Sequence, residues 1–289
     1  MKRILIGVVI AALLAGISYA FIVYISGVDV PVLQPKGYIG KKELELIIVS
    51  VLLMLVVVIP VFVLTFYFAS KYRDGNEKAK YQPDWEHSYL AESIWWGIPI
   101  VIICILAGIT WVTTHDLSPY RPIENGRKPI KIQAVALEWK WLFIYPEEGI
   151  ATVNYIQFPK DVPINFEITA NAPMNSFWIP QLGGQIYAMP SMRTKLHLIA
   201  DEEGTFRGVS SNFSGKGFAG MNFTAKATSD KSYKQWLRKV KSVGKGLTQG
   251  EYQRLSAPSS YNPVELFSST DPHMFDAIVD QYQNPNSRY

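Results

Sequence analysis

The 289-residue sequence predicts a membrane-anchored, all-β protein, and three observations support that prediction. Three long apolar runs occupy most of the chain before residue 116. Short β-type segments separated by Pro and Gly then continue to about residue 228, which is typical of a sandwich or barrel. The only cysteine, Cys104, lies in the third apolar run, so the later domain has no disulfide and must fold on its hydrophobic core.

The first apolar run, within residues 1–26, allows two interpretations. Lys2 and Arg3 precede it, and Ser18-Tyr19-Ala20 resembles a small-x-small cleavage site, which indicates a signal peptide. The apolar character nevertheless continues to Ile25, which favours an uncleaved anchor helix. Both interpretations place the following external segment, 27–43, outside the cytoplasm.

The second and third runs, 44–70 and 94–115, predict two transmembrane helices. Each supplies the roughly 20 residues that cross a hydrocarbon core of about 30 Å. Each is also apolar on all faces, which is rare for a buried helix of a soluble protein. The segment 71–93 between them is then a cytoplasmic loop.

Charge gives this topology only slight support. The loop 71–93 carries four basic residues, which favours the cytoplasmic side: Lys71, Arg73, Lys78 and Lys80. Six basic residues lie on the opposite flanks: Lys36, Lys41, Lys42, Arg121, Arg127 and Lys128. The signal-like start therefore decides the orientation, which places the loop 71–93 inside the cytoplasm and the later domain outside it.

The domain at 119–228 has an ordinary, well-mixed surface. From residue 119 onward the chain has 19 Lys and Arg against 15 Asp and Glu, and no basic stripe indicates a nucleic-acid partner. The predicted strands lie at 130–137, 139–145, 151–158, 163–170, 176–180, 194–200, 204–210 and 218–227. In the last segment, 229–289, helical spacing of apolar residues predicts an amphipathic helix over 232–243, followed by an aromatic-rich tail.

Two motifs in the domain resemble the copper-binding segments of subunit II of haem–copper oxidases. The first is Asn175-Ser176-Phe177-Trp178-Ile179-Pro180, and the second runs from Ser210 to Met221. The family combines two membrane helices with a cupredoxin-like Greek-key β-sandwich, so the resemblance implies that fold here. Its copper-bearing members have a His in the first motif and, in the second, Cys-x-Glu-x-Cys followed by His and Met.

The resemblance implies that the metal ligands have been replaced while their frame is kept. Asn175 stands at the first His, Ser210 and Ser214 at the two cysteines, Asn212 at the Glu and Phe218 at the second His, and only Met221 is retained. A dinuclear copper centre needs bridging thiolates and imidazoles, which these side chains do not supply. We therefore expect no metal and no cofactor in this chain, with His87, His115, His197 and His273 as surface or packing residues.

Further segments are similar to subunit II of cytochrome-bo-type ubiquinol oxidases, the branch without this copper site. They are 33–37, 136–146, 149–154, 185–190 and the tail segment 261–275. The resemblance implies a structural, non-redox subunit of a proton-pumping enzyme that oxidises ubiquinol and reduces oxygen to water. It also implies that subunit I holds the haems and copper, and that this chain packs on subunit I, the other subunits and membrane lipid.

For three residues the resemblance implies a functional role, and each also has a structural interpretation. Glu92, at the start of the second predicted membrane helix, matches a Glu at the entrance of a proton-uptake channel; the alternative is an interfacial carboxylate favoured by the helix dipole. Trp139 and Trp141 match a region where copper-bearing relatives accept electrons from cytochrome c. With no copper expected behind them and no acidic docking face, we expect core packing and no cytochrome c partner.

Two other functions compete with this interpretation. The first is a cytochrome c oxidase subunit II with a copper centre, which the missing cysteines oppose. The second is a membrane-tethered, cupredoxin-like binding or assembly protein that acts outside any oxidase. Nearby genes for a many-helix, haem-binding subunit would favour the oxidase over the second.

Overall fold

The computed structural model describes residues 16, 19, 30–77, 79, 80, 84 and 86–282. The choice between signal peptide and anchor helix at 1–26 falls almost entirely outside these residues. Two long helices come first, α1 at Tyr38–Lys71 and α2 at Tyr89–Asp116. Both are long and apolar enough to cross a membrane, and no residue in the apolar 18-residue stretch of either helix is buried inside the chain. Pro60 and Pro99 lie within them, which membrane helices tolerate better than soluble ones.

The domain after α2 is a two-sheet sandwich with short additional strands in the tail. The strands are β1 Ile130–Leu137, β2 Lys140–Tyr145, β3 Ile150–Val153, β4 Tyr155–Pro159, β5 Ile164–Ala170, β6 Asn175–Trp178, β7 Ile186–Ala188, β8 Thr194–Leu198, β9 Gly204–Ser210, β10 Asn222–Thr228, β11 Gly246–Leu247, β12 Glu265–Phe267 and β13 Ser269–Thr270. One sheet of the sandwich has the order β12-β3-β2-β1-β5-β8, and the other has the order β4-β10-β9-β6-β7.

The chain changes sheets between β3 and β4 at Asn154, whose φ of 55° turns the backbone. As a result β1 pairs in parallel with β5, and β4 pairs in parallel with β10, while the remaining pairs of the two sheets are antiparallel. The predicted membrane-anchored β-sandwich is confirmed. The strand predicted over 218–227 starts only at Asn222, because Phe218–Gly220 form a 3-10 turn. The short strand β7 was not predicted.

The tail forms a third layer. Helices α3 (Asp230–Lys241), α4 (Gln249–Ser256) and α5 (Met274–Asp280) follow the sandwich. Apolar residues of α4, α5 and the tail strands pack on the outer face of β1, β2 and β3, burying side chains such as Leu142, Phe267 and Phe275. Strand β1 is thus buried on both faces, which explains why its sequence alternates so imperfectly.

The sandwich core is aromatic. Trp141, Phe143, Phe177 and Phe223 are at most 2% exposed, and their ring centroids lie 5.0 to 6.5 Å apart. Such offset and edge-to-face pairs each contribute about 0.5–1.5 kcal/mol beyond area burial. The packing role expected for Trp141 is what the structure shows.

The sandwich has two ends with different surroundings. We define the helix-junction end as the linker 117–129 with the loops 160–163, 179–184 and 199–203, because these segments adjoin α1 and α2. We define the ligand-loop end as Trp139 with residues 171–175 and 211–221, because most of the motif positions matched to copper ligands in the sequence analysis lie there. Strand β1 runs from the first end to the second, so the ends are separated by its 8 residues, about 26 Å at 3.3 Å per residue.

Candidate functional site

The ligand-loop end brings together the two motifs that resemble copper-binding segments. Asn175 opens β6 and Ser210 closes β9, and the antiparallel register pairs Ser210 with Phe177, so that Asn175 is its diagonal neighbour two residues away. The Ser210 hydroxyl donates to Asn175 Oδ1 at 2.6 Å, and Asn175 Nδ2 donates to the Pro173 carbonyl at 2.7 Å. Asn175 is 1% exposed and Ser210 is 6% exposed. These buried groups satisfy one another, as a folded interior requires.

The loop 211–221 is held by an aromatic ring on each of two sides. The indole of Trp139 donates to the Ser214 carbonyl at 3.1 Å and lies against Gly217. A Cβ at Gly217 would overlap that indole, so glycine is required there for the close approach. Tyr261 of the tail lies on Gly220 in the same way, with ring atoms 2.9 to 3.1 Å from an added Cβ. The packing role expected for Trp139 is therefore observed, and the tail takes part in it.

The remaining predicted positions lie in the same loop. Asn212 Nδ2 donates to the Met174 carbonyl at 2.9 Å. Phe218 meets Phe213 edge-to-face, with ring centroids 5.4 Å apart. Met221 is 2% exposed within the sandwich core, where its flexible thioether fills space between aromatic rings.

These residues do not fit a dinuclear copper centre. The side chains at the positions offer hydroxyls, amides, a phenyl ring and a single buried thioether, and soft copper ions need thiolate and imidazole ligands. Within the described part of the chain, no group of three or more His, Cys, Asp or Glu side chains could hold a metal ion.

The four histidines are dispersed rather than gathered at the site. His197 Nδ1 donates to the Pro119 carbonyl at 3.1 Å, fastening the linker after α2 to β8. Burial, assisted by nearby Lys195, holds the pKa of His197 below its ordinary value. His115 Nδ1 donates to the Trp111 carbonyl at 2.7 Å, and His273 is exposed in the tail.

Glu92 is far from the other predicted residues, in the first turn of α2. Ser88 caps this helix by accepting a hydrogen bond from the Ala91 N–H at 3.4 Å. The Glu92 carboxylate accepts from the Ser88 N–H at 3.4 Å and lies 3.5 Å from His87 Nδ1. Its carboxylate therefore stabilises the helix N-terminus, and 36% of the side chain is exposed to any partner or water.

Three polar residues that fasten the tail were not identified from the sequence. Lys140, 1% exposed, donates to the Leu255 and Ala257 carbonyls at 2.7 and 2.8 Å, which caps the end of α4. Burial lowers the pKa of its ammonium. Asn154 binds the Trp141 N–H at 2.8 Å and the Asn262 carbonyl at 3.0 Å. A lysine within an otherwise apolar strand was the signal available.

Asn171 is the third of these residues, and it lies in the ligand-loop end. Its amide donates to the Tyr252 hydroxyl at 2.6 Å and accepts from Gln281 and Tyr282 at 2.7 Å. Burial raises the pKa of Tyr252 to about 12, so this phenol keeps its proton at neutral pH. The loop before the Asn175 motif is thereby joined to two separate parts of the tail.

Comparison with known proteins agrees with this geometry. Residues 147–228 match the family model "Cytochrome C oxidase subunit II, periplasmic domain", and residues 241–286 match "COX Aromatic Rich Motif". The chain is 53% identical over 273 residues to cytochrome bo(3) ubiquinol oxidase subunit 2 of Pseudomonas aeruginosa, covering 94% of this chain and 82% of that protein.

Two further relatives extend the comparison. Ubiquinol oxidase subunit 2 of Acetobacter aceti is 47% identical, with 94% of this chain and 89% of that protein covered. Quinol oxidase subunit 2 of Bacillus cereus is 37% identical, with 83% of each chain covered. The resemblance drawn from the motifs is confirmed, and the chain belongs to the ubiquinol oxidase subunit 2 family.

Proposed function

We propose that this chain is the structural, non-redox subunit II of a membrane-bound terminal oxidase that oxidises ubiquinol and reduces oxygen to water. The observation that carries the proposal is the ligand-loop end, where the copper frame persists but Asn175 and Ser210 bind each other instead of a metal. The names of the relatives agree with it. The haems, the copper and the proton-pumping chemistry then belong to subunit I, and electrons reach oxygen without passing through this sandwich.

The membrane helices supply the surface for assembly. Apolar side chains around α1 and α2 are exposed in the isolated chain, including Phe62, Phe66 and Trp111 at 59 to 72%. Exposed apolar area of this extent needs an apolar neighbour. Subunit I and the other oxidase subunits cover one side of the helix pair, and lipid covers the rest.

The match to a periplasmic-domain family, the two candidate membrane helices and the bacterial relatives support a periplasmic sandwich and a cytoplasmic loop at 71–93 in a bacterial inner membrane. The basic residues beside the two helices also differ in their ion pairs. Each of the six basic residues on the sandwich side has a carboxylate within 2.6 to 2.8 Å: Lys36, Lys41, Lys42, Arg121, Arg127 and Lys128. Among described residues of the other side, Lys71, Arg73 and Lys80 have no such partner. Of the described basic residues beside α1 and α2, those without a carboxylate partner therefore lie on the loop side.

The test of this function is oxygen consumption by the detergent-purified complex that contains this chain. We expect activity with ubiquinol-1 and none with reduced cytochrome c. Activity with cytochrome c would require an electron path through the sandwich and would contradict the proposal. Purification of the chain without any haem-bearing partner would favour the stand-alone binding protein instead.

Glu92 carries the finer part of the proposal, a role at the entrance of a proton-uptake path in subunit I. Its carboxylate is ionisable, partly exposed and located at a membrane-helix end, where such groups are frequently functional. The hydrogen bond to Ser88 supports the competing role as a helix-terminal carboxylate.

Glu92→Gln distinguishes these roles, because glutamine keeps a carbonyl acceptor for the Ser88 N–H but cannot carry a proton. We expect slower turnover and slower proton uptake in the variant complex, with normal assembly. Glu86→Gln, in the same loop, is the matched control. Unchanged turnover and proton uptake in Glu92→Gln would leave only the helix-capping role.

A further inference from the structure

Helix α3 has two faces of different chemistry. Tyr233, Leu237 and Val240 are buried against the sandwich. The opposite, exposed face carries Lys231, Lys234, Arg238 and Lys241, which we call the α3 basic face. Their spacing of three or four residues places them side by side along the helix. Asp230 is the only acidic residue of this helix. Positive charge is therefore concentrated on α3, although the charges of the whole domain are well mixed.

The α3 basic face is also poorly neutralised. Within the described residues, Lys231, Lys234 and Arg238 form no ion pair, and Lys241 reaches only Glu148, at 3.7 Å. The basic residues near the membrane helices, in contrast, pair at 2.6 to 2.8 Å. Neighbouring like charges repel each other, so a surface of fixed negative charge would stabilise this face.

The start of α3 lies at the helix-junction end. Asp230 pairs with Arg127 of the linker at 2.7 Å, and Arg127 also donates to the Lys160 carbonyl at 3.3 Å. The residue after Lys160 donates its backbone N–H to the loop 199–203 at 2.8 Å. In that loop Asp201 pairs with Lys41 of α1 at 2.7 Å. Continuous contacts thus connect the first residue of α3 to the first turns of a membrane helix.

We propose that the α3 basic face binds anionic phospholipid headgroups of the bilayer in which α1 and α2 are inserted. The helices hold the sandwich beside a dense array of headgroups, and clusters of Lys and Arg next to membrane helices bind anionic lipid. Each cation that approaches the surface within a Debye length of about 8–10 Å strengthens the contact roughly fivefold. The interaction would fix the orientation of the sandwich on the membrane.

The experiment measures the distance from α3 to lipid headgroups. A fluorophore is attached at Gln235→Cys in a Cys104→Ser background, since Cys104 is the only cysteine. The full chain, with any subunits that accompany it, is placed in nanodiscs that contain a headgroup-linked quencher. We expect stronger quenching when about one-third of the lipid is phosphatidylglycerol than in phosphatidylcholine alone, and loss of that difference at high salt.

The triple variant Lys231→Gln, Lys234→Gln and Arg238→Gln should abolish the lipid dependence. Its matched control neutralises three cations elsewhere, with Lys195→Gln, Arg207→Gln and Lys216→Gln, and should keep it. All six side chains are exposed, so folding should be unaffected.

Equal quenching in both lipids, or quenching that survives the triple variant, would overturn the proposal. A label shielded from water in every lipid would mean that a protein surface covers α3, which also overturns it. The measurement requires only membrane insertion, so its result does not depend on whether the chain serves an oxidase.

Discussion

Each end of the sandwich is stabilised by a different kind of interaction. At the helix-junction end the chain uses ion pairs and backbone contacts: Lys36 and Lys41 pair with Glu202 and Asp201, and the Lys36 N–H donates to the Gln181 carbonyl at 2.7 Å. At the ligand-loop end it uses aromatic rings on glycines and a buried amide–hydroxyl pair. Aromatic packing and a buried hydrogen bond therefore hold the ligand-loop end, while the connection to α1 depends on ion pairs and close backbone approach.

The largest expected effect tests the junction through Gly37→Ala. A Cβ at Gly37 would overlap the backbone carbonyl of Ile199, and it would lie 3.1 Å from the Leu182 carbonyl. Backbone on both sides cannot move aside cheaply, so we expect a loss of about 3 kcal/mol in the free energy of unfolding of the outer domain. Urea denaturation followed by tryptophan fluorescence measures it.

Gly250→Ala is the control for this variant, because an added Cβ there meets only Thr248 Oγ1 at 4.0 Å. A Gly37→Ala domain as stable as the Gly250→Ala domain would show that the junction does not depend on close backbone approach at Gly37.

Lys140→Met tests how the tail is fastened near the ligand-loop end. Methionine fills similar space but leaves the Leu255 and Ala257 carbonyls without their buried donor. We expect the free energy of unfolding to fall by about 2 kcal/mol, because an unsatisfied buried polar group usually costs about 1–3 kcal/mol. Backbone amides of α4 should exchange hydrogen faster, which hydrogen-exchange mass spectrometry measures. Lys226→Met, at an exposed position of β10, should change neither quantity.

Gly217→Ala tests the ligand-loop end by the same kind of substitution as Gly37→Ala. The group that obstructs the added Cβ is here a side chain instead of backbone. The added Cβ would overlap the Trp139 indole, which can rotate away at the expense of its hydrogen bond to Ser214. We expect the free energy of unfolding of the outer domain to fall by about 1–2 kcal/mol, which is less than the loss expected for Gly37→Ala. A loss equal to or larger than that of Gly37→Ala, in the same denaturation assay, would reverse our ranking of the two ends.

The smallest effect concerns pH at the helix-junction end. Because the pKa of buried His197 is below the ordinary 6.5, the unfolded chain takes up its proton first as pH falls. Stability is therefore lost from pH 6.5 downward until the folded-state pKa has been passed. His197→Asn keeps a donor for the Pro119 carbonyl and removes this titration, so its stability should fall less between about pH 7 and pH 5.

His273→Asn, at an exposed histidine of the tail, is the matched control for this pH series. If His197→Asn and the unmodified chain lose stability in parallel on acidification, another group is responsible for the pH dependence.

The class of this protein, and the absence of copper-ligand residue types at the matched motif positions, follow from the amino-acid sequence alone. Length and uniform apolarity identify α1 and α2 without any tertiary information, because a membrane helix satisfies its own backbone. The substitutions at Asn175, Ser210, Ser214 and Phe218 are equally local, since ligand chemistry is a property of residue type.

The contacts that hold the matched motif positions and the tail depend on the tertiary structure. The hydrogen bond between Asn175 and Ser210 joins residues 35 apart, and Lys140 reaches carbonyls 115 and 117 residues away. Local periodicity contains no information on such pairs. The imperfect alternation of β1 likewise had no explanation until the tail was seen to bury its second face, because burial on both faces removes the polar positions that reveal a strand.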